Sequence, residues 1–157
     1  RMGEMGIRPL ARVLATDIYV TSLDLSHAMV SPRGAVLIGE MLRQNRTLVN
    51  LRLDSNQLRD AGMKFLANAL CHNRALQSLS LRDNGIINVS SFGSNNDTLR
   101  VLELGNNHIQ TTDGLASILQ RNTSLETLGL SRNYITECCD SFARALKSNR
   151  SLRRLNL

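Results

Sequence analysis

Apolar positions recur along this chain in a fixed figure. Leu-x-x-Leu-x-Leu-x-x-Asn begins at Leu48, Leu76, Leu99 and Leu125, and ends on Asn56, Asn84, Asn107 and Asn133. Val20, Leu23 and Leu25 open an earlier copy in which Ala28 replaces the asparagine. Leu152, Leu155 and Leu157 open a last one. Starts at 20, 48, 76, 99, 125 and 152 give repeat lengths of 28, 28, 23, 26 and 27 residues. Leu-x-Leu places two leucines on one side of a short strand, because side chains alternate. A single strand cannot bury them, so the spacing predicts stacked repeats, a parallel sheet and a continuous leucine core.

The asparagine falls where the chain turns away from the strand. Its amide both donates and accepts, so it can serve backbone groups of neighbouring turns. Asn56, Asn84, Asn107 and Asn133 are therefore expected to form a buried structural ladder rather than a ligand site. The first repeat, with Ala28, should have a looser or water-bridged turn.

The second half of most repeats reads as helix. Phe65, Leu66, Ala69 and Leu70 form a helical stripe, with Asn73 as a left-handed cap at its end. Leu37, Ile38, Met41 and Leu42 form another, started by Ser31 as N-cap and Pro32 as first helical residue. Phe142, Ala143 and Leu146 form a third. The helix from Gly114 to Asn122 is about one turn shorter than the others. The third repeat has no helical stripe after Ile87. Ile86, Val89 and Phe92 are expected to point inward from an irregular segment, leaving a gap in the helix layer.

Repeats of this length, with strand, turn and amphipathic helix, resemble the ribonuclease-inhibitor-like class of leucine-rich repeats over the whole chain. The resemblance implies a right-handed α/β solenoid, or horseshoe, with a parallel sheet on the concave face and helices on the convex face. The 23-residue third repeat departs from the pure class. Met5 to Leu14 aligns without a gap to Ala61 to Leu70, so residues 1–19 read as the helical half of a preceding repeat. No polar cap closes either end. Residues 1–157 are therefore expected to be a single repeat-domain fragment of a longer horseshoe.

Composition narrows the function. The chain holds 27 Leu among 157 residues but only 3% aromatics, so leucine fills the core. No apolar run reaches the roughly 18 residues of a membrane span, and no membrane contact is expected. Three cysteines, an odd number, argue against a disulfide-stapled fold and point to a reducing, cytoplasmic compartment. Cys138 and Cys139 read as small residues packed under a loop. His27, His72 and His108 sit at different repeat positions and make no metal or catalytic set. No phosphate loop, nucleophile elbow or paired-carboxylate motif is present, so no catalytic residue, cofactor or small-molecule substrate is expected. Sequons occur at Asn45, Asn88, Asn96, Asn122 and Asn149. Asn45, Asn122 and Asn149 share one repeat position after the helix, where a cap followed by Ser or Thr explains them.

The net charge of +6 raises nucleic acid as a partner, and its distribution argues against one. The strand segments carry Arg52, Arg82, Arg100, Arg132, Arg153 and Arg154 against Asp24, Asp54, Asp83, Glu103 and Glu126. Arg43, Arg46, Arg74, Arg121, Lys147 and Arg150 instead sit at helix C-terminal ends and complement the helix dipole. Reading columns across strands pairs Asp24 with Arg52, Asp54 with Arg82, and Glu126 with Arg100 and Arg153. Asp83, Glu103, Arg132 and Arg154 are left without an opposite charge. Ser80, Gly105, Asn106, Gly129 and Ser131 give a shallow floor beside them. These positions, with Arg82, are the candidate surface for a protein partner. The function expected is a non-catalytic interaction module of an intracellular protein. The alternatives are a cytoskeletal or ciliary scaffold, or a GTPase-activating or enzyme-inhibiting horseshoe, both resting on the resemblance alone.

Overall fold

The computed structural model describes residues 2–89, 96–136 and 140–157. Helix and strand alternate through most of it. The order is α1 (Gly3–Leu14), β1 (Ser22–Asp24), α2 (Pro32–Gln44), β2 (Asn50–Arg52), α3 (Arg59–Leu70), β3 (Ser78–Ser80), β4 (Val101–Glu103), α4 (Asp113–Arg121), β5 (Thr127–Gly129), α5 (Asp140–Ser148) and β6 (Arg154–Asn156). The strands form one parallel sheet in chain order. Leu23, Leu51, Leu79, Leu102, Leu128 and Leu155 stand in one row of its register. These leucines and those two residues on (Leu25, Leu53, Leu81, Leu104 and Leu130) pack against the helices in one core. Each fully buried leucine contributes about 2 kcal/mol of hydrophobic stabilisation. The result is an α/β leucine-rich solenoid.

The helices start and stop for local reasons. Ser31 is extended, its Oγ accepts the Gly34 N–H at 3.3 Å, and Pro32 follows it. Burial in α1 repeats that in α3: Ile7, Ala11 and Leu14 are buried, as are Met63, Ala67 and Leu70 at the aligned positions. Helix α4 has 9 residues against 12 in α3.

Two helical stripes keep most of their predicted residues inward and each turns one outward. Phe65 is 47% exposed, and α3 buries Gly62, Met63, Leu66, Ala67, Ala69 and Leu70 instead. In α5 the buried residues are Phe142 and Ala145, while Ala143 is exposed. Small residues let α3 approach its neighbour. A Cβ on Gly62 would meet the Ala35 side chain at 3.3 Å, so the close face belongs to glycine and alanine rather than to Phe65. After β3, Ile86 and Val89 are buried and the Asp60 carboxylate of α3 accepts the N–H groups of Ile87 and Asn88. Phe92 lies outside the described residues. Among those described, α3 and α4 make no contact, whereas α1–α2, α2–α3 and α4–α5 do.

Two rows of asparagine tie adjacent coils together. In the first, Asn56 Nδ2 donates to the Leu25 and Leu53 carbonyls and Oδ1 accepts the Val30 N–H. Asn84 bridges Leu53 and the Leu58 N–H; Asn107 bridges Leu81, Asn84 and Ile86; Asn133 bridges Leu104 and Ile109. Asn84 and Asn107 are 1% exposed, and Asn133 is half-buried. Ala28 has no side-chain amide to do this, and its turn is tied by backbone and by the next coil. Its carbonyl accepts the Gly3 N–H at 3.0 Å, and Asn56 reaches back to Leu25 at 2.9 Å.

The second row lies after the helices. Asn45, Asn73, Asn96, Asn122 and Asn149 each accept backbone N–H groups two and three residues ahead on Oδ1. From Asn73 onward, each Nδ2 donates to the carbonyl of the preceding asparagine in the row. These asparagines are not left-handed caps. Asn45 and Asn122 are extended (ψ 137° and 129°), and Asn73 is absent from the positive-φ residues. The extended conformation aims the amide at the preceding coil rather than at its own helix. Burial of Asn45, Asn96 and Asn122 with bonded amides leaves those three sequons closed to glycosylation in the folded chain.

Asn73→Ala would strip four backbone groups of their side-chain partner at a site that is 0% exposed. The expected loss is about 3 kcal/mol, read as a lower urea midpoint at unchanged slope. A loss below about 1 kcal/mol would show that the row contributes little.

Candidate interaction face

The helices cover one face of the sheet. On the other face each coil presents the residue between its two strand leucines, then the two residues beyond them. The second of those two residues carries the same backbone constraint in successive coils. His27, Ser55, Asp83, Asn106 and Arg132 occupy one repeat position, and all have φ between 53° and 57°. None is glycine, so each coil carries about 1–2 kcal/mol of left-handed strain. The strain is offset by hydrogen bonds to the next coil. The N–H groups of His27, Ser55, Asp83 and Asn106 donate to the carbonyls of Asp54, Arg82, Gly105 and Ser131 at 2.8–3.1 Å. The same turn aims the following asparagine inward.

A groove of about 520 Å³ runs along this row. It brings together six of the ten predicted surface residues: Arg82, Asp83, Gly105, Asn106, Ser131 and Arg132. The other four lie outside it. Ser80 is buried and donates its hydroxyl to Asp54. Glu103 is half-buried beside Gly129, and Arg154 stands in register with Thr127, two positions before the Gly129 row. The groove also takes in Ser26, His27, Arg52, Asp54, Ser55 and Asn156. Their repeat positions equal those of the predicted residues, and that equivalence was the available signal.

The charges follow the column reading at Asp24–Arg52 and Arg100–Glu126 and depart from it at Asp54, Arg82 and Glu103. Glu103 has a partner: its Oε2 accepts from Arg82 Nη2 at 2.7 Å and Nε at 3.2 Å. Arg82 thus reaches diagonally to the next strand, within range of a long side chain. Its guanidinium is held above its ordinary pKa, first by that hydrogen bond and then by the charges of Glu103 and Asp54. Two glycines make room. A Cβ at Gly129 would overlap the Glu103 carboxylate, and one at Gly105 would press on Ser131 Oγ at 3.1 Å. Asp54, 9% exposed, accepts from the Ser80 hydroxyl, the Arg82 N–H at 3.0 Å and Arg52 Nη2 at 3.3 Å. Arg100 pairs with Glu126, and Arg52 also lies 3.7 Å from Asp24. Among the described residues, Asp83, Arg132 and Arg154 make no ion pair within 4.0 Å. At the rim, His108 and Tyr134 bring their rings to 5.6 Å.

No set of three or more His, Cys, Asp or Glu among the described residues is placed to hold a metal, and none of their helices is long and apolar enough to cross a membrane. Cys71 is half-buried, and Cys138 and Cys139 lie outside the described residues.

Comparison with known proteins agrees with this architecture. A family model described as Leucine Rich repeat matches residues 44–67 and 95–117. The chain is 34% identical over its full length to the human NACHT, LRR and PYD domains-containing protein 13, and spans 16% of it. It is 31% identical over 98% of its length to the mouse NACHT, LRR and PYD domains-containing protein 4C, and spans 17% of that protein. The solved structure of leiomodin-1 actin-binding site 2 superposes with a TM-score of 0.71, covering 88% of both chains at 22% identity. That likeness is one of fold.

Asp24 supplies a titration test of the groove's edge. Its carboxyl lies below the ordinary value because the Ser26 hydroxyl and N–H both donate to it, with smaller help from Arg52 and His27. A lowered folded value means stability that is present above the ordinary value of 3.8 and lost as pH falls through the folded one. Ser26→Ala should move the Asp24 midpoint upward in a carbon-detected NMR titration. An unmoved midpoint would remove the hydroxyl from the account.

Proposed function

This chain belongs to the leucine-rich-repeat family, and we propose that it is a non-catalytic protein-interaction module that binds a protein partner along the helix-free face of its sheet. The observation that carries this reading is the groove floored by Gly105 and Ser131, with Asp83 and Arg132 standing over it outside any ion pair among the described residues. Charges already paired at a surface add little to binding, whereas charges without a counter-charge in the free protein are available to a partner. Hydrogen bonds between coils fix the backbone under these side chains. Such pre-organisation lowers the ordering penalty on association. The mixed signs suit a folded protein surface or peptide of mixed charge better than a polyanion. The relatives are named for NACHT, LRR and PYD domains, and this chain is read as corresponding to their repeat region. Actin is named for the leiomodin structure alone and is not carried over.

Affinity capture from cell extract with the wild-type chain, Arg132→Glu and Arg33→Glu tests the proposal. Arg33 lies on α2, away from the groove. Partners retained by wild type and Arg33→Glu should be lost or weakened about tenfold or more with Arg132→Glu. Equal capture by all three proteins would overturn the groove as the binding surface.

A further inference from the structure

The second asparagine row carries a feature that the groove does not use. Arg46, Arg74 and Arg150 each follow a row asparagine directly, at Asn45, Asn73 and Asn149. Arg43, Arg121 and Lys147 lie in the last turns of α2, α4 and α5 beside the same edge. All six are exposed. The last-turn cations offset the helix dipole. Arg46 also serves a helix end, its Nη1 donating to the carbonyl of Asn45, the C-cap of α2, at 3.2 Å, whereas Arg74 and Arg150 lie beyond the last helical turns.

The row also sets their spacing. Asn73 Nδ2 donates to the Asn45 carbonyl at 3.1 Å, so these coils stay in contact where Arg46 and Arg74 emerge. Strands of the sheet are roughly 4.8 Å apart, and Arg46 and Arg74 leave adjacent coils of it. Like charges this close repel one another. Neutral acceptors take part of this charge: Arg43 Nη2 donates to Asn68 Oδ1 at 2.9 Å and Arg46 Nη1 to the Asn45 carbonyl at 3.2 Å. Asp97 reaches Arg74 at 3.5 Å, with both side chains more than half exposed. Asp17, at the equivalent position one coil before Asn45, spends its Oδ1 on the Tyr19 and Val20 N–H groups. Among the described residues no carboxylate lies within 4.0 Å of Arg43, Arg46, Arg121, Lys147 or Arg150.

We propose that this edge is a second interaction surface, separate from the groove, and that it takes an acidic peptide segment rich in Asp and Glu. The residues that follow the row asparagines are Arg46, Arg74, Asp97, Thr123 and Arg150. With the last-turn Arg43, Arg121 and Lys147 they leave the edge with an excess of exposed positive charge, which an extended acidic segment laid across the row would complement. Nucleic acid is the competing polyanion. The described edge from Arg43 to Lys147 offers no Phe, Tyr or Trp at the row or in the adjoining last turns on which bases could stack.

The test titrates a fluorescent oligoglutamate peptide and a single-stranded oligothymidylate of equal charge against the folded chain at low salt. The variants are the triple reversal Arg46→Glu, Arg74→Glu, Arg150→Glu and the groove variant Arg132→Glu. The peptide should bind wild type, weaken about tenfold or more with the triple reversal, change less than about twofold with Arg132→Glu, and weaken as salt rises. If the triple reversal does not fold, the same sites as glutamine should weaken binding by about fivefold. No peptide binding, an equal loss with Arg132→Glu, or tighter binding of the oligothymidylate would each overturn the proposal. The groove reading is tested separately by Arg33→Glu and Arg132→Glu, so the two can fail independently.

Discussion

The primary amide of asparagine both donates and accepts across the gap between two coils, and this architecture depends on it. A leucine core supplies the driving force for stacking, but leucine is non-directional and sets no register. Every turn between strand and helix brings backbone N–H and carbonyl groups into a space that water does not reach, where an unpaired group is costly. Asn84 and Asn107 satisfy such groups on one side of the core, and Asn45, Asn73, Asn96 and Asn122 satisfy them on the other. No buried side-chain nitrogen or oxygen among the described residues is left without a partner. The two rows work as hinges locked from both edges of the sheet.

That locking explains why the exposed face can tolerate strain and charge. A run of non-glycine residues at φ near 55° persists because each N–H group from His27 to Asn106 is held by the next coil. The side chains there are free to vary, since the backbone beneath them is fixed by others. Asp54 and the Arg82–Glu103 pair fill the face between Ser80 and Gly129 with satisfied charge. Arg132 and Asp83 remain as the chemically available groups, and the proposed partner surface rests on them.

The strand half of each coil is legible in the sequence because leucine spacing and side-chain alternation are the same statement. The first asparagine row is legible for a similar reason: it ends the repeated figure. The helix half is less so. Large apolar residues mark a stripe, yet the close approach of α3 to α2 is made at Gly62, which has no side chain to signal it, and Phe65 turns outward. The role of Asn73 is hidden because a helix-end asparagine is equally compatible with a left-handed cap, and the sign of φ, which the sequence does not show, separates the two. The Arg82–Glu103 pair escapes a column reading because arginine is long enough to cross to a neighbouring column. The left-handed row carries no glycine, and its signal is limited to His27, Asp83 and Asn106, residue types enriched at positive φ.

The account stands on the amides that the second row holds. The N–H groups of Leu48, Leu76, Leu99 and Leu125 each donate to a row asparagine at 2.6–2.8 Å, although they lie outside regular strands and helices. Native-state hydrogen exchange followed by NMR measures them directly. The account predicts protection comparable to that of the N–H groups of Leu53, Leu81 and Leu104, which are bonded between coils. Exchange at loop rates, with those N–H groups still protected, would contradict it.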